Sequence, residues 1–399
     1  MQRSIRFRLS LLMFLEYFTW GAWYVTMGTY LFANFKADAI QVGSSYANLS
    51  IAAIISPFFV GLIADRYFSA QKVLGVLHLL GAATLYYIST ITEFSTFWWL
   101  ILLYTLLYMP TMALANSISF TQMKDAGKEF PAVRVLGTVG WIVAGLLIGF
   151  MGIESAALTF RVAAISSFLL GIFSFFLPDT PPKNNKNNKL SAILGLDALV
   201  LFKNKSFLVF FISSIAICIP LSFYYSFTNA FLNDIGMQNA AGKMTIGQAS
   251  EFFFMLLIPL LFRRLGVKKM LMIGIGAWIL RYLFFAFGDM GLNGWMLYAG
   301  IALHGICYDF FFVTGQIYTD NKAGESIKSA AQGIITLGTY GLGMLIGSYV
   351  SGFLTQHFAT TINGVISYQW QLVWLMPALI AGVVLVAFAI LFKDKISKV

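Results

Sequence analysis

Apolar stretches of about 20 residues follow one another along the whole chain, each long enough to cross a bilayer core of about 30 Å. They predict about twelve spans, at 8–33, 42–64, 71–91, 96–119, 131–152, 157–177, 206–232, 245–262, 268–287, 294–319, 327–353 and 370–392. In a bilayer only a helix satisfies every backbone group within one segment, so each span is expected to be helical. Connections are short except at 178–205, where Asp179-Thr180-Pro181-Pro182 leads into an Asn/Lys-rich tract from Lys183 to Lys189. Prolines followed by such a tract read as a cytoplasmic linker, with a short surface helix near 190–203. The expected architecture is therefore an all-α membrane protein with twelve transmembrane helices in two six-helix bundles. Residues 1–178 form the N-terminal bundle, 179–205 the linker and 206–399 the C-terminal bundle.

Composition agrees with that pattern. Of 399 residues, 59% are hydrophobic and 11% charged, and the mean hydropathy is +0.80, so no water-soluble class fits. The first span is bounded by Arg8 and is not followed by a small-residue cleavage site, which reads as a retained helix and not a signal peptide. The net charge of +10 would suggest nucleic acid only if its location were ignored. With the amino terminus taken as cytoplasmic, Lys36, Arg161 and Lys243 fall on the outer side and Arg134 and Arg281 within spans; every other Lys and Arg falls inside. That bias places both termini in the cytoplasm of a multi-pass protein and removes nucleic acid as a partner. Cys218 and Cys307 both lie in spans, where a small packed hydrophobe is a better reading than a disulfide or a metal pair.

The polar residues inside the spans carry the candidate chemistry. A carboxylate in hydrocarbon costs about 2.5–3.5 kcal/mol on insertion scales and is normally kept only where it faces a watery cavity. Glu251 and Asp309 are two such acids, and Glu16 is a third. Gln248 and Glu251 share a helix face at i, i+3, and no Lys or Arg inside that span neutralises the acid. Asp309 sits in Tyr308-Asp309-Phe310-Phe311-Phe312, on a different helix face from Cys307, which argues against a metal site. Arg281 is a candidate ion-pair partner for it or an outer-leaflet snorkel, and His304 reads more readily as a packed core residue than as a functional one. Arg134, Thr138 and Trp141 fall at i, i+4, i+7, a stripe suited to a flat hydrogen-bonding ligand. The same spacing also suits an interfacial Arg with a packed Trp. Glu16, Trp20 and Trp23 repeat the spacing, either as a stacking wall or as part of an interfacial belt. In the seventh span stand Ser222, Tyr225 and Asn229, with Pro220 expected to kink the helix.

Two turns occupy matching positions in the two halves. Gly61-Leu62-Ile63-Ala64-Asp65-Arg66 follows the second span, and Arg263-Arg264-Leu265-Gly266-Val267-Lys268-Lys269 follows the eighth. The first resembles the loop signature of the major facilitator superfamily, in which such charges latch the cytoplasmic helix ends; this makes Asp65 and Arg66 candidate gating residues, although a helix cap with positive-inside charge explains Arg66 equally. Across nearly its whole length the chain resembles the nucleoside:proton symporter family of that superfamily, the bacterial nucleoside permeases. The resemblance is carried by Trp20-Gly21-Ala22-Trp23, Arg134-Val135-Leu136-Gly137-Thr138-Val139-Gly140, Leu194-Gly195-Leu196-Asp197-Ala198, Gln248 to Glu251, Ala277-Trp278-Ile279-Leu280-Arg281 and Tyr308-Asp309-Phe310-Phe311.

The resemblance implies a substrate site near mid-membrane containing Arg134, Thr138, Gln248, Glu251 and Asp309. The chain departs from the family pattern in having Ser222 and Tyr225 where Gln and Asn are usual, Trp141 and Tyr308 at aromatic positions, and Glu16 in place of a neutral amide. Losing two amides removes base-edge hydrogen bonds, so base preference stays open. The implied activity is import of nucleosides with protons by alternating access, in the bacterial inner membrane. Asp309, Glu251 and Glu16 are the expected proton-coupling acids. No cofactor beyond the proton is expected, nor any metal or enzymatic activity, and the protein is expected to be a monomer in its lipid bilayer. A symporter of sugars or another ribosyl compound on the same fold is the alternative.

Overall fold

A computed structural model describes residues 2–59, 67–182, 196–362 and 365–393, and helices occupy each of the expected spans among these residues. Among the described residues seven helices are by length and composition able to cross a bilayer, with the kinked Ala240–Phe287 counted as one. Asp65 and Arg66, with the rest of the turn from Gly61, lie outside the described residues, as does the Asn/Lys-rich tract. Two compact units are present. The first comprises Met1–Ala37, Ile51–Lys189 and Gln238–Gly242; the second comprises Asp38–Ser50, Leu190–Met237 and Lys243–Val399.

In the first unit the opening span is two helices, Arg3–Gly21 and Met27–Phe35, the second ended by Lys36 in the left-handed conformation. The intervening turn buries Trp23 and Tyr24. The fifth span, Ala126–Phe150, starts five residues before the expected boundary, because Asp125 caps it by accepting from the Lys128 N–H. Pro131, the first residue of the expected span 131–152, consequently lies inside the helix. The first and fifth spans pack face to face at Gly140, where an added Cβ would stand 2.2 Å from the Phe14 carbonyl oxygen.

In the second unit the seventh span, Lys205–Asp234, runs as one helix through Pro220, whose carbonyl accepts the Tyr282 hydroxyl. The helix continues through the proline without a break. The eighth and ninth spans are a single helix, Ala240–Phe287, interrupted at Gly266 (φ 72°, ψ 169°), a conformation open in practice only to glycine. Two residues on, the Lys268 Nζ donates to the carbonyls of Ala389 (2.8 Å) and Phe392 (2.7 Å). A cation thus closes the orphan carbonyls at the end of the twelfth span, Trp370–Leu391.

The tenth and eleventh spans, Gly294–Gly324 and Ile327–His357, each contain a π-helical segment, Asp309–Val313 and Leu337–Gly343. Such segments insert an extra residue into the turn and concentrate at functional sites. A two-stranded hairpin, Ala359–Ile362 with Val365–Tyr368, lies between the eleventh and twelfth spans. Asn363-Gly364, the dipeptide that favours tight hairpin connections, stands between the strands in the sequence. The Trp370 indole N–H donates to the Asp234 carboxylate (2.6 Å), tying the start of the twelfth span to the end of the seventh.

Replacing Gly140 by Val should force the first and fifth spans apart and cost about 1–3 kcal/mol of stability. The measurement is the thermal unfolding midpoint of detergent-purified protein, expected to fall by several degrees.

Candidate functional site

In the first unit, Arg134, Thr138 and Trp141 share one half-buried face of the fifth span, as their spacing predicts. The Arg134 guanidinium stacks on the Tyr17 ring, 4.0 Å from its centroid. Gly137 makes that stack fit: an added Cβ would stand 2.6 Å from Tyr17 and 2.9 Å from Arg134. Trp141 meets Trp20 edge-on at 5.3 Å, and Trp20 in turn lies 5.5 Å from Tyr24 and 6.0 Å from Tyr108. The expected Glu16–Trp20–Trp23 stripe does not form, because the helix ends at Gly21. Trp23 turns instead toward Tyr104 (5.5 Å) and Phe160 (6.1 Å).

Glu16 is fully buried and closely held. One carboxylate oxygen faces the His78 Nε2 at 2.8 Å, and the other accepts the Thr111 hydroxyl at 2.6 Å. His78 Nδ1 pairs with the Ser167 hydroxyl at 3.0 Å, and the Tyr108 hydroxyl donates to the Glu16 carbonyl at 2.8 Å. The acid thus has partners on the third and fourth spans, and its histidine partner is in turn held by the sixth. A histidine buried in the third span was the available signal for this pair.

The second unit gathers the other candidates. Gln248 and Glu251 lie on one face of the eighth span; Gln248 is buried, and the Glu251 side chain is 20% exposed. Glu251 Oε2 stands 3.9 Å from the His304 Nε2. On the other side of that ring, Nη1 of Arg281 lies 3.0 Å from Nδ1. Arg281 is fully buried and covers the Tyr224 ring at 3.5 Å, so it neither snorkels nor pairs with Asp309. It lies instead next to His304 on the tenth span. Tyr224 stacks on His304 (5.0 Å, 23°), and Tyr225 approaches it edge-on at 6.4 Å.

Asp309 opens the π-helical segment and is 0% exposed. Among the described residues neither of its carboxylate oxygens has a hydrogen-bond partner. Its neighbour Tyr308 shares a hydroxyl–hydroxyl hydrogen bond with Tyr340, from the π-helical segment of the eleventh span. Nothing in the hydrophobic pattern singled out Tyr340. Ser222 is fully buried, and its hydroxyl donates to the Cys218 carbonyl of its own helix (2.9 Å), with Met344 beside it. The structure therefore joins Tyr225, Gln248, Glu251, Tyr308 and Asp309 to one unit's polar interior, with Ser222 packed toward the eleventh span.

The chain as a whole is similar to known proteins. A family model described as nucleoside H+ symporter matches residues 3–397. A putative nucleoside transporter of Escherichia coli, YegT, is 44% identical over 98% of this chain and 95% of its own length. The nucleoside permease NupG of Escherichia coli is 35% identical over 98% and 97% of the two chains. The crystal structure of nucleoside transporter NupG superposes with a TM-score of 0.89 at 34% identity, covering 98% of this chain and 100% of that one. A peptide transporter of the POT group matches at a TM-score of 0.75 and 14% identity over 97% and 93%, a likeness of fold alone. The polar spans, the two-bundle helical architecture and the end-to-end match agree: the chain belongs to the nucleoside H+ symporter family.

Proposed function

We propose that the protein imports nucleosides together with protons by alternating access, as a multi-pass protein of the bacterial inner membrane with both termini cytoplasmic. The observation that carries this reading is Asp309, a wholly buried carboxyl without a partner among the described residues. A buried carboxyl is costly as an anion and far less so carrying a proton. Such a group is suited to take up a proton together with substrate and release it afterwards. Glu251, partly exposed on the same unit, is the second coupling acid.

In this reading each unit, taken by itself, carries groups whose chemistry suits a nucleoside. The Arg134 guanidinium, the Thr138 hydroxyl and the Trp141–Trp20 aromatic pair offer hydrogen bonds and stacking to a base. Gln248, Glu251, Tyr308 and Asp309 offer donors and acceptors to ribose hydroxyls, with Tyr225 as an apolar wall. Glu16 has both oxygens engaged by His78 and Thr111, so it is assigned to holding the first unit together and the coupling step to the other two acids. The proton is the coupling ion, no further cofactor takes part, and the functional form is a monomer in the lipid bilayer.

Uptake of labelled uridine and adenosine into proteoliposomes under an inward proton gradient tests the assignment. Uptake should collapse with a protonophore and be competed by nucleosides but not by simple sugars; competition by sugars would favour the sugar symporter. Asp309→Asn should lower gradient-driven accumulation by about tenfold or more, the loss expected for one charged interaction. Arg134→Ala should raise the KM for uridine about tenfold, and Arg134→Lys should not restore it, because an ammonium lacks the planar stacking face. Glu16→Gln should lower stability by about 1–3 kcal/mol, read as a reduced unfolding midpoint, while uptake per folded molecule holds.

A further inference from the structure

Arg281 is a permanent charge, fully buried, whose hydrogen bond goes to a neutral-capable imidazole. Among the described residues its Nε and Nη2 have no hydrogen-bond partner, and no carboxylate reaches it. An uncompensated buried cation is strongly unfavourable and calls for a nearby anion. A guanidinium has no acceptor, so in the 3.0 Å contact it must donate and His304 Nδ1 must receive. That leaves the ring proton on Nε2, the atom that faces Glu251 Oε2 at 3.9 Å. The tautomer is fixed by the partner and not by the histidine.

The surroundings hold this line of groups in place. Tyr224 lies under both the guanidinium (3.5 Å) and the imidazole (5.0 Å, 23°), which sets their planes. Gly305 lets the tenth span meet the eighth at this level, since an added Cβ would stand 2.6 Å from the Glu251 amide nitrogen. Gly247, whose added Cβ would stand 3.0 Å from the His304 Cβ, does the same from the other helix. The titratable groups facing the pair are Tyr224 and Tyr225 from the seventh span, Arg281 from the ninth, and Cys307, Tyr308 and Asp309 from the tenth, with Tyr340 of the eleventh behind Tyr308. Among these, Arg281 is the one fixed positive charge.

The Glu16–His78 pair in the first unit sharpens the contrast. There the contact is 2.8 Å, and every side-chain nitrogen and oxygen of both residues has a partner. The Glu251–His304 pair is longer and its acid partly exposed, so the carboxyl group has somewhere else to go.

We propose that Arg281 and His304 form a resting station for ionised Glu251, which swings between the His304 Nε2–H when it has lost its proton and the nucleoside when it carries one. This rests on the proton-coupled reading above. In the release step the Glu251 O–H bond breaks, water takes the proton, and the electron pair stays on the carboxylate. The imidazole keeps its single proton throughout and passes the influence of the Arg281 charge to the anion as a polarised N–H donor. Arg281 and His304 are positioning residues for the coupling acid, acting without contact to the substrate.

The test separates coupling from binding. In proteoliposomes, His304→Phe should lower gradient-driven uridine accumulation about tenfold while gradient-free counterflow stays within about twofold of native, the loss of one hydrogen bond to a charge. His304→Gln, whose amide can accept from Arg281 and donate to Glu251, should restore accumulation. Equal loss of accumulation and counterflow, or native accumulation in His304→Phe, overturns the proposal. A measurement on the unmodified protein stands beside these variants: with only three histidines in the chain, nitrogen-15 NMR of labelled protein should show one buried imidazole as the Nε2–H tautomer. The Nδ1–H form at His304 overturns the proposal whatever the variants do. Uptake by native protein that ignores a protonophore would instead remove the symport reading, and the coupling role with it.

Discussion

Charge buried where no water can reach it must find its partner within the protein, and this constraint organises the interior of both units. Each unit answers it with a histidine beside a glutamate. In the first, His78 and Thr111 take the two carboxylate oxygens of Glu16 in short contacts, and Ser167 bonds the far ring nitrogen of His78. In the second, Arg281 is stacked on Tyr224 and bonded to His304, which stands off from Glu251 by 3.9 Å. The first arrangement is closed and suits a structural member. The second is open and keeps Asp309 nearby without any partner among the described residues. The three membrane-depth acids thus differ in their surroundings: Glu16 is enclosed, Glu251 is partly exposed and Asp309 is wholly buried.

Much of this was legible in the sequence because hydrocarbon punishes error so heavily. Hydropathy placed the spans, since a helix is the only segment able to cross alone, and the acids were conspicuous for the same reason. The Arg134, Thr138 and Trp141 stripe followed from helical spacing within one unbroken helix. What spacing could not reach were the places where the helix is not ideal. Trp23 left its predicted face because the first span breaks after Gly21. Pro131 fell inside its helix because Asp125 starts that helix early. Partnerships between spans were equally hidden: Arg281 with His304, Glu16 with His78 and Tyr308 with Tyr340 join residues far apart in sequence that no periodicity relates. The hairpin before the twelfth span had a local signal in Asn363-Gly364, and the weight of apolar runs on either side masked it.

The two helix breaks at positive-φ glycines, Gly266 and Gly324, show how sharply the second unit turns between consecutive spans. Both use a backbone region that residues with a Cβ rarely adopt. At the first of them the turn also places Lys268 on the open carbonyls of the twelfth span, so one short basic segment serves topology and helix capping together.

The π-helical segment at Asp309–Val313 has a consequence for how this protein could change over time. One surplus residue in a helix rotates everything on one side of it by about 100° relative to the other. Removing a single codon there would restore ordinary winding and swing Tyr308 and Asp309 around the helix axis relative to Thr314 and the residues beyond. The acid would then face a different neighbour although no side chain had been altered. Evolutionary retuning of this interior is therefore open to small deletions as well as to substitutions, with the angular step set by the geometry of the backbone.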